Sequence, residues 1–307
     1  MNTKFVTAYY PYCEGPPIWG KQNRERWYKY SLASIANIGC PITCYVRPGQ
    51  AHEELDEYLH GRGIVNVELK PYDITLNRFH DRITARRLQY ADLYNNELHP
   101  FYRMSFTIYW SKWAFLENEH APDQYTYWID GGLSTEGVLP KRLNDYSIDM
   151  RMHDEEWKHY SFHNVFNPAL VQKIVNYTGD KTLNLCRRNG TDNDFARMSE
   201  KMQMDVQGSV YRDNMFPVGS LFGGKDTLVS YIDKTHEVME HILEKTTDYL
   251  CTEQEIMGYV HTFNRELFVD WYFHDFYHED WRVMVDGQPQ LYRTLFPHNT
   301  SFSEFFG

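Results

Sequence analysis

Asp130 closes a short aromatic and β-branched run, Tyr125–Ile129, and is followed at once by Gly131 and Gly132. The run Tyr-Thr-Tyr-Trp-Ile reads as a buried strand. A carboxylate where such a strand stops is held in place by the strand. Two glycines behind it let backbone or ligand come close. That is a way to seat a metal ligand, and it is also an ordinary turn after a strand. The residues alone leave both readings open.

Composition narrows what such a site could serve. The chain has 307 residues, enough for one elaborated domain or two. It carries 31 basic and 42 acidic residues, net −11, which argues against a broad phosphate-binding surface. Aromatic residues make up 16%, with 24 tyrosines. They fill cores, and they also stack on sugar rings. The five cysteines, Cys13, Cys40, Cys44, Cys186 and Cys251, are odd in number and sparsely spaced, which reads as reduced thiols in a reducing compartment. Asn-x-Ser/Thr triplets at Asn176, Asn189 and Asn299 matter only in a secretory pathway. The start MNTKFVTAYY is not a basic-then-apolar leader, and no run approaches a membrane span. The expectation is a soluble, cytoplasmic protein.

The elements that must position Asp130 follow from periodicity. Lys4–Tyr10, Pro41–Val46 and Ile64–Leu69 read as strands, separated by helices over Asn23–Ile38 and Ala51–His60. Strand, helix, strand, helix, strand is the grammar of a parallel sheet with crossovers. Arg78–Leu98 is a polar helix with Arg82, Arg86 and Arg87 on one face. Ser105–Glu119 is a second helix, with Ser105 as its cap. Asn167-Pro168 starts a further helix to about Tyr177, and Thr182–Cys186 reads as a strand. Pro217–Gly224 reads as a strand ending in a Gly-Gly turn. Asp226–Lys245 is the clearest helix, with Asp226 at its cap. Thr252–Thr262 opens TEQE, a capping box of Thr252 and Glu255. Leu267–Phe273 is strand-like. No repeat or linker interrupts the chain, so a single compact domain is expected.

WIDGGLS at 128–134, the FVTAYY start, GSLFGG at 219–224 and TEQEIMGYV at 252–260 occur in that order. Together they resemble the HtrL/YibB family of bacterial and viral proteins, which is similar to glycosyltransferases of the WlaTC type. The resemblance covers roughly residues 4 to 281 and is weakest between Leu139 and Met204. It implies a GT-A-like α/β fold: a Rossmann-type mixed sheet flanked by helices, spanning residues 1–307 as one glycosyltransferase-like domain. Residues 1–135 would form the nucleotide-binding half, and 136–307 the acceptor-binding half with a C-terminal tail. The implied activity moves a hexosyl or pentosyl unit from a nucleotide-sugar donor, UDP-sugar favoured, to a hydroxyl of a saccharide. Thr7, Ala8 and Tyr9 of the first strand, with Arg26, Lys112, Asp130 and Gly131, would hold the donor. Arg24 is a further phosphate candidate. Where the family pattern has D-x-D, this chain has Asp130 and then Gly132, so Mn²⁺ or Mg²⁺ would rest on Asp130, diphosphate oxygens and a C-terminal histidine. His278 is the first choice, and His274 and His298 follow. Gly223, Gly224 and Trp281 would face the acceptor, and Glu253 or Glu255 would supply the base, Glu255 being already engaged as a capping-box residue. Lys112 itself reads by composition as a solvated helix residue. Two other functions remain open: the same chemistry on a modified DNA base, with the three arginines on phosphate, and a non-catalytic glycan-binding scaffold.

Overall fold

Alternate residues of the first strand fill two cores, one on each face of the sheet. A computed structural model describes residues 2–10, 28–29, 31–33, 35–86, 100–131, 168–188, 215–245 and 253–275, and the segments 283–285, 288–290 and 293–297. Strand β1 is Thr3–Tyr9, β2 is Ile42–Val46, β3 is Val67–Pro71 and β4 is Tyr125–Ile129. Phe5 and Tyr127 enter one apolar cluster; their neighbours Val6 and Trp128 enter the other. This period of two is what a strand buried on both faces requires.

Strands β5 (Thr182–Arg188), β6 (Met215–Gly224), β7 (Phe268–Asp275) and β10 (Arg293–Pro297) complete an eight-stranded sheet in the order β10-β7-β5-β6-β4-β1-β2-β3. Strands β8 (Val283–Val285) and β9 (Gln288–Gln290) form a separate antiparallel pair. β1 to β4 are mutually parallel, β6 runs antiparallel to both β4 and β5, and β5 is parallel to β7. Sequence from both ends of the chain therefore joins one mixed sheet, the single-domain α/β architecture expected.

Helices α1 (Gln50–His60), α2 (Pro100–Glu119), α3 (Pro168–Thr178), α4 (Leu228–Lys245) and α5 (Glu253–Phe263) cover the sheet. α4 and α5 share a core with α2 through Trp110, Trp113, Tyr231, Met239 and Met257, whereas α3 packs on the opposite face against Phe5 and Tyr127. The last residue of α2 is fastened to three strands. Glu119, almost wholly buried, accepts hydrogen bonds from Lys4, Thr43, Tyr45 and Lys70. Burial pushes its carboxyl up, but the bonds from Lys4, Lys70 and Tyr45 outweigh that and hold it below the usual range. Lys112 lies seven residues earlier, two turns back on the same face. Anchoring Glu119 thus fixes where Lys112 projects.

The structure moves several boundaries. β3 starts at Val67 rather than Ile64 because the chain before it is spent on closing α1. Gly63 takes φ 70°, Ile64 N–H bonds Leu59 O, and the Asn66 amide bonds the carbonyls of Ala36 and Cys40. α2 starts at Pro100, so Ser105 lies inside the helix and is not its cap. Asp226 is not the cap of α4 either. The Thr227 carbonyl accepts the first helical bond, from Tyr231, while its hydroxyl ties Thr182 and the Leu267 carbonyl together. Asp226 sits one residue outside, half exposed beside Lys225. Thr252 and the stretches 87–99, 132–167, 189–214 and 246–252 lie outside the described residues. Among the described residues, Cys40 and Cys44 are free thiols, and no helix is long and apolar enough to cross a membrane.

His236 on α4 gives the fold a pH dependence. Burial, with Arg78 nearby, pushes its imidazole down to about 4, and Glu240 opposes the shift only in part. The unfolded chain therefore takes up this proton first as pH falls from about 6.5, and stability declines down to about pH 4. Between pH 7 and 4.5 the native protein should lose about 2 kcal/mol more than a His236→Gln variant. Urea melts at the two pH values measure that difference; equal losses would show that His236 is not held neutral.

Candidate functional site

β1 to β4 end at one edge of the sheet, and a crevice at the carboxyl ends of parallel strands is where open α/β sheets take ligands. The cleft there is lined by Tyr9, Tyr10, Tyr28, Tyr109, Trp128 and Asp130, with Ala8 and Gly131 among its backbone walls. Gly131 is needed for space. A Cβ on it would meet the Thr7 hydroxyl at 3.3 Å and the Ala8 carbonyl at 3.4 Å. Thr7 Oγ1 is buried without a hydrogen-bond partner. Thr7, Ala8, Tyr9, Asp130 and Gly131, expected together at the donor, are thus together.

Lys112 joins them, and its solvated reading is overturned: the residue is 2% exposed. Its Nζ lies 2.9 Å from Asp130 Oδ1 and 3.3 Å from Glu253 Oε1, and it donates to the Gly219 carbonyl at 3.0 Å. The Trp128 ring lies 5.3 Å away. Asp130 Oδ1 also accepts from Trp128 Nε1 at 2.7 Å. One ammonium therefore binds α2 to the end of β4, to β6 and to the first residue of α5.

The charges are mutually adjusted. Burial alone would push Lys112 down, but Asp130 and Glu253 beside it win, and its pKa rises. It stays a cation. For Glu253, burial pushes the carboxyl up and the Asp130 charge adds to this; Lys112 opposes, and the net direction is up. Glu253 is thus a buried carboxyl of raised basicity, joined through Lys112 to the cleft residue Asp130, the kind of group a general base needs. Glu255, the other base candidate, is two residues on, rotated by about 200° around α5, and makes none of these contacts.

Gly223 and Gly224 do not admit a ligand. They are strand residues, paired with Thr126, Tyr127, Thr182 and Leu183, toward the end of β6 away from Asp130. A Cβ on Gly223 would fall 2.3 Å from the Thr126 carbonyl oxygen, and one on Gly224 would fall 2.4 Å from that of Lys181. They are glycines so that strands can close on one another. The glycine of GSLFGG that belongs to the site is Gly219, with φ 70° and its Cα facing Glu253. Sequence reasoning passed over it, and over Trp128 as a partner of Asp130. The signal for Lys112 was present: its neighbours Trp110, Trp113, Phe115 and Leu116 make α2 apolar on several sides.

The described residues suit a divalent cation in one way only. Asp130 Oδ1 is taken by two donors, which leaves Oδ2. Among the described residues, no three His, Cys, Asp or Glu side chains cluster as metal ligands. One open carboxylate oxygen fits a cation shared with substrate phosphates and water. His278, His298, Trp281, Arg24, Arg26 and Arg87 lie outside the described residues; His274 lies in β7, opposite Thr294. Of the arginines read as a DNA-facing surface, Arg82 bonds Glu240 and Arg86 bonds the Leu243 carbonyl. Both pin helix 80–86 to α4.

The two glycine roles separate by experiment. Gly223→Ala forces backbone atoms apart and should abolish the cooperative melt. Gly219→Ala meets only Glu253 Cγ at 3.3 Å, Glu253 Oε1 at 3.5 Å and Met257 Sδ at 3.6 Å. Together with the cost of φ 70° for alanine, about 1–2 kcal/mol, it should leave a folded protein with a displaced Glu253. Circular-dichroism melts of both variants test this, and a normal melt for Gly223→Ala would refute the strand-packing role.

No protein-family model and no curated protein matches the chain. Among solved structures it is similar to mouse xyloside xylosyltransferase 1 in its apo form, with 7% identity and a TM-score of 0.41 over 88% of this chain and 85% of that one. A likeness this distant brings no function with it.

Proposed function

We propose that the protein is a glycosyltransferase that moves a sugar from a nucleotide-sugar donor, UDP-sugar favoured, to a saccharide hydroxyl. The observation that carries the reading is the Lys112 ammonium holding Asp130 and Glu253 together at the carboxyl ends of β1 and β4. A scaffold evolved for packing alone would gain nothing from a buried ammonium set between two carboxylates. The resemblance of WIDGGL and TEQEIMGYV to the HtrL/YibB family points the same way.

The donor's base and ribose would lie along Thr7–Tyr9 among the cleft tyrosines, whose faces suit a planar ring. Asp130 would meet the diphosphate end. Mn²⁺ or Mg²⁺ is proposed to arrive with the donor, on Asp130 Oδ2 and with His278 as a further ligand, and would supply charge to the leaving diphosphate. Glu253 would accept the proton of the acceptor hydroxyl. In a direct displacement, that oxygen forms the new bond to the anomeric carbon. The old carbon–oxygen bond breaks, and its electron pair stays on the diphosphate. Lys112 beside Glu253 favours its charged form against burial and the Asp130 charge, which together set the net upward direction of its basicity.

Calorimetric titration tests the reading. UDP, GDP, CMP and UDP-sugars are titrated with and without Mn²⁺ into the native protein and an Asp130→Ala variant. One nucleotide should bind with metal and lose at least tenfold in affinity in the variant. Binding of no nucleotide would end the transferase proposal. Nucleotide-sugar binding without turnover would favour the glycan-binding scaffold, and salt-sensitive retention of DNA would favour a DNA-base acceptor.

A further inference from the structure

We infer that Lys112 is a positioning residue that locks the donor-side carboxylate Asp130 and the acceptor-side carboxylate Glu253 into one frame, and that it does not itself bind donor phosphate. The inference rests on the transferase reading and concerns how its two halves are joined.

A lysine ammonium has three N–H donors and no more. Lys112 meets three acceptors: Asp130 Oδ1 at 2.9 Å, the Gly219 carbonyl at 3.0 Å and Glu253 Oε1 at 3.3 Å. None is left for a phosphate oxygen. The side chain is also almost fully buried, so a phosphate could reach Nζ only if one of these bonds were given up. The acceptors come from three different elements: the end of β4, the middle of β6 and the start of α5. The lysine's own helix is fastened to the sheet two turns on by Glu119. A nitrogen so placed is a crosslink. It also relieves the repulsion between two carboxylates that would otherwise face each other in a partly dry site.

A phosphate ligand and a crosslink differ in what their removal does. Loss of a phosphate ligand weakens nucleotide binding. Loss of a crosslink lowers turnover, and a neutral side chain that still bridges Asp130 keeps nucleotide binding. The experiment compares the native protein with Lys112→Met and Lys112→Gln. Affinity for UDP with Mn²⁺ is read by calorimetry, and turnover by release of UDP from the UDP-sugar that binds. Expected for Lys112→Gln, whose amide can still donate to Asp130, is a dissociation constant within threefold of native. Turnover should fall at least a hundredfold in Lys112→Met and be partly restored in Lys112→Gln, which keeps two N–H donors. A tenfold or greater loss of UDP affinity in folded Lys112→Gln would overturn the inference while leaving the transferase reading standing. If the native protein bound no nucleotide, the transferase reading would fall, and the donor-side role with it.

The crosslink has a readout independent of catalysis. Lys112→Met should melt several degrees below native. Adding Glu253→Gln, which removes one of the stranded carboxylates, should recover at least half of that loss. A double variant no more stable than Lys112→Met would show that Lys112 and Glu253 are not coupled, and would overturn the inference on structural grounds alone.

Discussion

The buried ammonium of Lys112 is the contact on which the rest of the site depends. Burying a cation against two carboxylates is expensive, and replacing all three together by well-packed apolar side chains would cost the protein little stability, whereas removing the cation alone strands its partners. What the charges provide is location. The ammonium reaches Asp130, Gly219 and Glu253, and so compels α2, β4, β6 and α5 to meet at one point. Each of those elements has its own apolar reason to pack on the sheet, but burial of apolar surface is non-directional. Only a directed, charge-assisted set of bonds can fix a carboxylate at the start of α5 relative to one at the end of β4.

The sheet makes that meeting possible by reversing a single strand near its centre. β6 runs against β4 and β5, so its middle, not its end, comes alongside the site edge. Gly219 therefore faces Glu253, while Gly223 and Gly224 lie deep between strands. The two kinds of glycine in GSLFGG are separated by a few residues and serve opposite needs. At Gly219 the backbone turns to φ 70° and leaves room for the Glu253 side chain. At Gly223 and Gly224 two backbones must approach more closely than any Cβ allows.

Much of the frame was legible in the sequence because it depends on local pattern. The β1, β2 and β4 strands, the amphipathic α4 and the proline-started α3 were placed within a few residues, since periodicity is set by which faces are buried. Asp130 was legible because a carboxylate at the end of an aromatic strand is unusual in type. The burial of Lys112 was not inferred, because composition favours a solvated lysine and only the ring of tryptophans around it argues otherwise. The direction of β6 was invisible. Strand polarity is decided by partners far apart in sequence, and with it went the correct assignment of Gly219 against Gly223 and Gly224. The cap at Asp226 was misread by one residue, which local pattern does not resolve, and that at Ser105 because the helix begins five residues earlier, at Pro100.

The polarity of the sheet has a second consequence, for how this protein could diversify. The chain leaves the sheet at the Asp130 edge after Tyr9, after Ile129, after Arg188 and after Asp275, and it enters β6 from that edge at Met215. The opposite edge is crossed by short connections, such as those that bring the chain into β2 and β4 at Ile42 and Tyr125. Length and composition can therefore change on one side without altering a single strand pairing. The fold separates a conserving side from an experimenting side. Whole connections on that side could be exchanged while the lysine-bound carboxylates stay as they are.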